Sequence, residues 1–353
     1  LTGGNPATHG VGASSSGNAA QPTTGPGRSV SRGARDAYER GLHYLDKRGE
    51  ANLALAVRLF AQACDSEPLF AAAFDGLGDS YLQLGYLNYL SPDDAFPKAI
   101  AAARRAIDLD PTLPNSYATL GFALFYYNRD WTGAEIAFHR AITLDSTYAP
   151  AHQRYAYLLA VAGRPDEARA QIQRAEQLAP LSLSIATDAG FILYYENRLN
   201  EARTALRGVL ARDSLSPAAH LWLGRVEQRD GNPRLARREY DATGPLRQWP
   251  PTIAAVGYVD GARGDRASAH RALATLDSIS RTRYVTAYAY ALVHAALGER
   301  DSAFTWLDRS VEERTNWIVW LALDPRWEPI RRDPRFAKLL ARAGLPAERT
   351  MTP

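Results

Sequence analysis

Gly190 and Gly224 stand 34 residues apart; Ala168, Ala202 and Ala236 keep the same step, and so do Ile172, Leu206 and Tyr240. A fixed period of this length, with small and bulky side chains at constant offsets, is the signature of paired antiparallel helices stacked into a solenoid. The reason is packing. Gly or Ala at the close-contact positions lets two helix backbones approach, and the larger residues fill the space around those contacts. A proline near the end of several units, as at Pro68, Pro111 and Pro180, stops the second helix because it lacks the donor needed to continue it.

The repeat can be followed through about eight units. Gly41, Tyr44, Ala56 and Phe60 mark the first, and Phe74, Leu77, Gly78 and Tyr81 the second, which carries an insertion around Leu84 to Pro92 before Ala99 and Ala106. Tyr117, Gly121, Ala134 and Phe138 mark the third; Tyr155, Ala156, Ala168 and Ile172 the fourth; Gly190, Ala202 and Leu206 the fifth; Gly224, Ala236 and Tyr240 the sixth. Gly257, Ala269 and Leu273 mark a seventh, and Tyr290, Ala291, Ala303 and Leu307 an eighth. In these positions the chain resembles the tetratricopeptide-repeat (TPR) family. The resemblance implies an all-α, right-handed superhelical solenoid of helix-turn-helix repeats with a C-terminal capping helix and an extended N-terminal tail. The expected division is 1–34 tail, 35–315 repeat array and 316–353 cap.

The array ends in NWIVWLALDPRWEPIRRDPRFAKLLARAGLP. Trp317 and Trp320 are expected to close the open apolar end, since the last repeat of a solenoid has no neighbour. Asp333 and Pro334 then start a short amphipathic helix through Phe336, Leu339 and Leu340 that Gly344 terminates. This ending, with the first unit AYERGLHYLDKR, is similar to the C-terminal sensory halves of bacterial multidomain regulators. In those chains a winged-helix, Ser/Thr kinase or cyclase domain precedes the array.

Up to about Arg35 the chain is rich in Gly, Ser, Thr, Ala, Asn and Pro, with too little apolar surface to fold alone. It reads as a linker, with Thr8, Ser14, Ser15, Ser16, Thr23 and Thr24 as candidate O-glycosylation sites and enough reach, about 30 Å as random coil, to dock on a neighbouring subunit. Leu1 in place of Met reads as a fragment or a processed form. The single Cys64 can form no internal disulfide, which fits a cytoplasmic protein and also an exported one, with export slightly favoured. No window approaches a membrane span.

Basic and acidic residues number 41 and 38, a near balance that leads to the expectation of no nucleic-acid partner. Phosphate-cradling, dinucleotide, zinc-protease and serine-hydrolase motifs are all missing, so no enzyme, metal or cofactor is expected. The His residues are scattered, with no pair spaced to chelate from one helix face.

In the family the first helix of each unit lines the concave face. The matching positions hold Asn115, Phe122, Phe125 and Tyr126, then Gln153 and Tyr157, then Thr187, Phe191, Tyr194 and Tyr195, and in the sixth unit Arg225, Gln228 and Arg229. This aromatic stripe fits a peptide or a sugar, or reads equally as helix packing, while the arginines fit an anionic partner. The expected function is a non-enzymatic scaffold for protein or peptide, the chain itself included, with glycan as a further partner. The alternative is the sensory domain of a transcription regulator or kinase.

Overall fold

The computed structural model of the chain describes residues 30–345. The candidate O-glycosylation sites Thr8 to Thr24, and the docking of the tail, lie outside the described residues. Every regular element within them is helical.

Sixteen of the helices form eight antiparallel hairpins. They are α1 (Arg32–Lys47) with α2 (Glu50–Ser66), α3 (Ala71–Tyr86) with α4 (Pro92–Leu109), and α5 (Pro114–Ala123) with α6 (Trp131–Leu144). There follow α7 (Ala149–Ala162) with α8 (Pro165–Leu178), α9 (Leu183–Tyr195) with α10 (Leu199–Arg212), and α11 (Pro217–Arg229) with α12 (Pro233–Asp241). The last two hairpins are α13 (Pro250–Ala262) with α14 (Arg266–Ser280), and α15 (Ala287–Ala296) with α16 (Arg300–Glu312). A C-terminal segment adds two single 3₁₀ turns, α17 (Glu328–Arg331) and α18 (Pro334–Arg342). The whole is a right-handed superhelix of the kind the 34-residue period predicts.

Close approach decides where glycine sits. A Cβ at Gly121 would lie 3.1 Å from the Ala134 carbonyl oxygen, and one at Gly224 would lie 2.4 Å from the Tyr240 ring. Both glycines face the second helix of their own hairpin, so the pairing predicted from small residues is a steric requirement.

A second 34-residue series fastens one unit to the next. Arg169, Arg203 and Arg237 each reach the end of the first helix of the following hairpin: Arg169 to Glu196 at 2.6 Å, Arg203 to Glu227 at 2.8 Å and Asp230 at 2.5 Å, and Arg237 to Asp260 at 2.7 Å. The charged ends of these arginines thereby meet largely buried carboxylates at the ends of the neighbouring helices.

The eight hairpins complete one turn, and the turn is closed across its bore. The Trp249 indole donates to the Leu87 carbonyl at 2.8 Å, the Asn316 amide to the Tyr86 carbonyl at 2.7 Å, and Arg283 pairs with Glu50. The Tyr- and Leu-rich insertion of the second unit is thus covered from within this chain. Tyr86 also packs its ring against Phe122 and Tyr126.

The C-terminal segment turns inward rather than only capping the last hairpin. Trp320, 1% exposed, stands in the bore against Tyr157, Phe191 and Tyr195, and its indole N–H donates to the Tyr126 hydroxyl at 3.2 Å. Arg129 holds the segment from the third hairpin by donating to the carbonyls of Val311 and Ala343. At its end α18 begins at Asp333, whose side chain accepts from the Arg335 amide, and stops at Gly344 with φ +66°, as its sequence predicts. Phe336, Leu339 and Leu340 of that helix are buried.

Candidate binding site on the inner face

On α3, Asp75, Asp79 and Gln83 follow one another at four-residue spacing and so share a stripe along the helix. Neighbouring first helices answer them. Ser116 and Asn115 of α5 donate to the two oxygens of Asp75 at 2.5 and 2.8 Å, and Asn115 in turn accepts from the Tyr148 hydroxyl at 2.6 Å. Arg154 of α7 reaches Asp79 at 2.5 Å and the Thr119 hydroxyl at 3.0 Å. Gln153 donates to Asp188 of α9. From across the bore, Arg48 at the end of the first helix donates to Ser184 at 3.1 Å.

These groups converge on a cavity with about 100 Å³ of open space, lined by Gln83, Tyr86, Gln153, Arg154, Ser184 and Asp188 among others. Two arginines and a carboxylate, with Leu82 and Phe122 in the same lining, suit a ligand that is partly polar and partly apolar. Burial pushes the Asp188 carboxyl up to about 6, although Tyr157 and Gln153 donate to its charged form. Asp75 rises likewise to about 6, through burial only partly offset by Ser116 and Asn115. The site therefore gains protons just below neutral pH.

A second opening lies at the other side of the inserted segment, where the first helices end. Tyr194, Gln228, Arg229, Tyr258, Arg326 and Glu328 surround it, with about 740 Å³ open. Arg229 donates to the Tyr194 carbonyl at 2.6 Å and lies over that ring at 5.4 Å.

Of the residues expected on the concave face, Phe122, Gln153 and Tyr157 line the first cavity, and Tyr194 and Arg229 the second. Asn115 stands beside the first, engaged with Asp75. Phe125, Tyr126, Thr187, Phe191 and Tyr195 are buried, Thr187 turning its hydroxyl to the Leu183 carbonyl. The aromatic stripe is the seat of Trp320. Arg225 is also buried, between Trp222 and Trp317. The template positions did not point to Arg48, Gln83, Arg154 or Asp188. The signal for Arg154 and Asp188 was the 34- to 35-residue spacing of polar residues on successive first helices, as between Thr119, Arg154 and Asp188.

Among the described residues no helix is long and apolar enough to cross a membrane, and no cluster of His, Cys, Asp and Glu is placed to hold a metal ion.

Comparison with known proteins places the fold. The family described as tetratricopeptide repeat matches residues 187–246. The transcriptional regulator HilA of Salmonella typhimurium is 26% identical over 165 residues, 47% of this chain. The match spans 30% of that relative's length. Among solved structures, a monomeric mutant of IFIT1 with Gppp-AAAA superimposes with a TM-score of 0.61 at 16% identity, covering 90% of this chain and 73% of the other. Human IFIT1 as a dimer with m7Gppp-AAAA gives 0.59 at 15%, covering 79% and 72%. The Cut9–Hcn1 hetero-tetramer of the APC/C gives 0.57 at 14%, covering 89% and 57%.

These neighbours correct one expectation. The near balance of charge predicts no nucleic-acid partner, yet IFIT1, of the same fold, is solved with capped RNA. Net charge averages over the whole surface, whereas an inner face such as this one concentrates Arg48 and Arg154 locally.

Proposed function

This chain belongs to the tetratricopeptide-repeat family, and on that footing we propose that it is a non-enzymatic binding scaffold whose partner, a polypeptide segment, enters the cavity beside Gln153 and Asp188. One observation carries the reading. Polar side chains on α3, α7 and α9 turn towards one open cavity, while the aromatic positions between them are already filled from within the chain. A peptide presents backbone donors and acceptors at regular intervals, which suits a row of amides, carboxylates and a guanidinium.

Binding of labelled peptides, followed by fluorescence anisotropy, tests this. Ser184→Trp fills the cavity mouth and is expected to weaken binding at least tenfold, with Gly208→Ala on the outer face as control. Equal binding by both variants overturns the reading.

A second reading is single-stranded nucleic acid in the same bore. It is supported by the likeness to IFIT1 across most of this chain and by Arg154, whose guanidinium lies 5.7 Å from the Phe122 ring. The same titration with capped and uncapped RNA oligonucleotides separates the two, since RNA binding weakens steeply with salt. The likeness to a transcriptional regulator supports a sensory role for either ligand within a longer regulatory chain. Tail docking and O-glycosylation rest on composition alone; intact mass of native material tests the sugar.

A further inference from the structure

Arg225 of α11 is 2% exposed, and its guanidinium lies in the corner formed by the rings of Trp222 at 4.2 Å and Trp317 at 4.9 Å. No carboxylate among the described residues lies within ion-pair range of it, and its Nε and Nη1 have no hydrogen-bond acceptor. Arg326 of the C-terminal segment, also 2% exposed, lines the same cavity. Its Nε and Nη2 are engaged by Asp324, and its Nη1 has no acceptor. Asp324 has little left to offer Arg225, because its oxygens also accept from the Tyr288 hydroxyl and the Arg326 amide.

Two guanidiniums thus face one carboxylate in a buried space. A guanidinium does not shed its proton in a protein, so one positive charge is uncompensated. The neighbouring groups add donors rather than negative charge: burial holds the Tyr194, Tyr195 and Tyr240 phenols protonated. The hydroxyls of Tyr194, Tyr195 and Thr252 likewise have no partner. The rings of Trp222 and Trp317 offset part of the charge on Arg225 through their faces, and leave its N–H edge unsatisfied. Buried charge without a counterion is strongly disfavoured.

We propose that the cavity between α11, α13, α15 and the C-terminal segment binds a monatomic anion, chloride, between the N–H edges of Arg225 and Arg326. Size selects it. The cavity has about 10 Å³ open to a water-sized particle, which favours one small ion over the larger phosphate or sulfate. A water molecule in the same place would supply lone pairs and no charge. Apolar Pro251, Ala254, Ala289 and Leu292 make up much of the remaining wall, which strengthens the attraction. Arg225 belongs to the repeat array and Arg326 to the inserted segment, so the ion bridges the two and holds the segment in the bore.

The test uses the whole chain. Thermal unfolding in sodium chloride and in sodium gluconate at equal ionic strength is expected to give a higher Tm in chloride, rising with concentration as ligand linkage requires. Arg225→Gln is expected to abolish that difference. Should this variant fail to fold, two measurements on the unaltered chain remain. Crystals soaked in bromide are expected to show an anomalous peak in this cavity, and protease cleavage within residues 313–345 is expected to be slower in chloride than in gluconate. Equal Tm in the two salts, with no anomalous peak, overturns the proposal, as does stabilisation by phosphate without stabilisation by chloride.

Discussion

The indole of Trp320 lies 4.6 Å from the ring of Tyr195, centroid to centroid, with the planes 23° from parallel. The surface that a solenoid of this kind offers a partner is here partly taken by a side chain of the same molecule. Trp320→Ala is expected to cost about 3–5 kcal/mol of stability, the range for removing a large buried aromatic. Urea denaturation measures the loss, and binding of a hydrophobic dye is expected to rise as Tyr157, Phe191 and Tyr195 lose their cover. A variant as stable as its parent would show that the segment is only loosely seated.

Lowering the pH is expected to stabilise this protein between about 6 and 4. Asp75 and Asp188 are raised to about 6 when folded, against an ordinary value of 3.8. The folded state therefore binds more protons than the unfolded chain as pH falls through 6, and the gain is complete below the unfolded value. Each group contributes on the order of 1–3 kcal/mol over that window. Urea midpoints at pH 7, 6 and 5 read the slope, and Asp188→Asn is expected to flatten it by one group's share.

Two glycines in helices should respond to alanine with opposite signs. A Cβ at Gly224 meets the buried Tyr240 ring at 2.4 Å, so Gly224→Ala is expected to destabilise by about 1–3 kcal/mol. Nothing lies within 4 Å of a Cβ at Gly208, so Gly208→Ala is expected to stabilise by about 0.5–1 kcal/mol through helix propensity. Midpoints from chemical denaturation compare the pair.

Glu227 has a side chain only 3% exposed and takes its counter-charge chiefly from Arg203 at 2.8 Å, with the more exposed Arg207 at 3.7 Å. Arg203→Met is expected to cost about 2–3 kcal/mol, because it leaves a buried carboxylate with only the exposed Arg207 as counter-charge. Adding Glu227→Leu is expected to restore much of the loss. A double variant no more stable than the single one would show that the arginine acts through packing along its stem.

The hairpins, the close contacts at Gly121 and Gly224 and the start and stop of α18 were legible because each depends on residues within one period of each other. The destination of Trp320 was not. A repeat specifies how a unit sits on its neighbour, whereas the bore belongs to a full turn, in which Tyr86 and Asn316 become neighbours. For the same reason Phe122, Tyr157 and Phe191 read equally as ligand contacts and as core from their spacing alone. Arg225 looked like a docking group for an anionic partner, and its burial depends on Trp317, which the repeat template does not place. Gln153 was legible as an inward-facing residue; its acceptor, Asp188, sits one position past the template residue Thr187.

The pairing of Arg283 with Glu50 and of the Trp249 indole with the Leu87 carbonyl has a mechanical consequence. An open stack of repeats frays from its ends and gives along its axis like a spring. A coil pinned across its own diameter loses that compliance. Its first and seventh hairpins must part together, so unfolding should be one concerted event, and an extra repeat inserted anywhere between them would push the pinned groups out of reach.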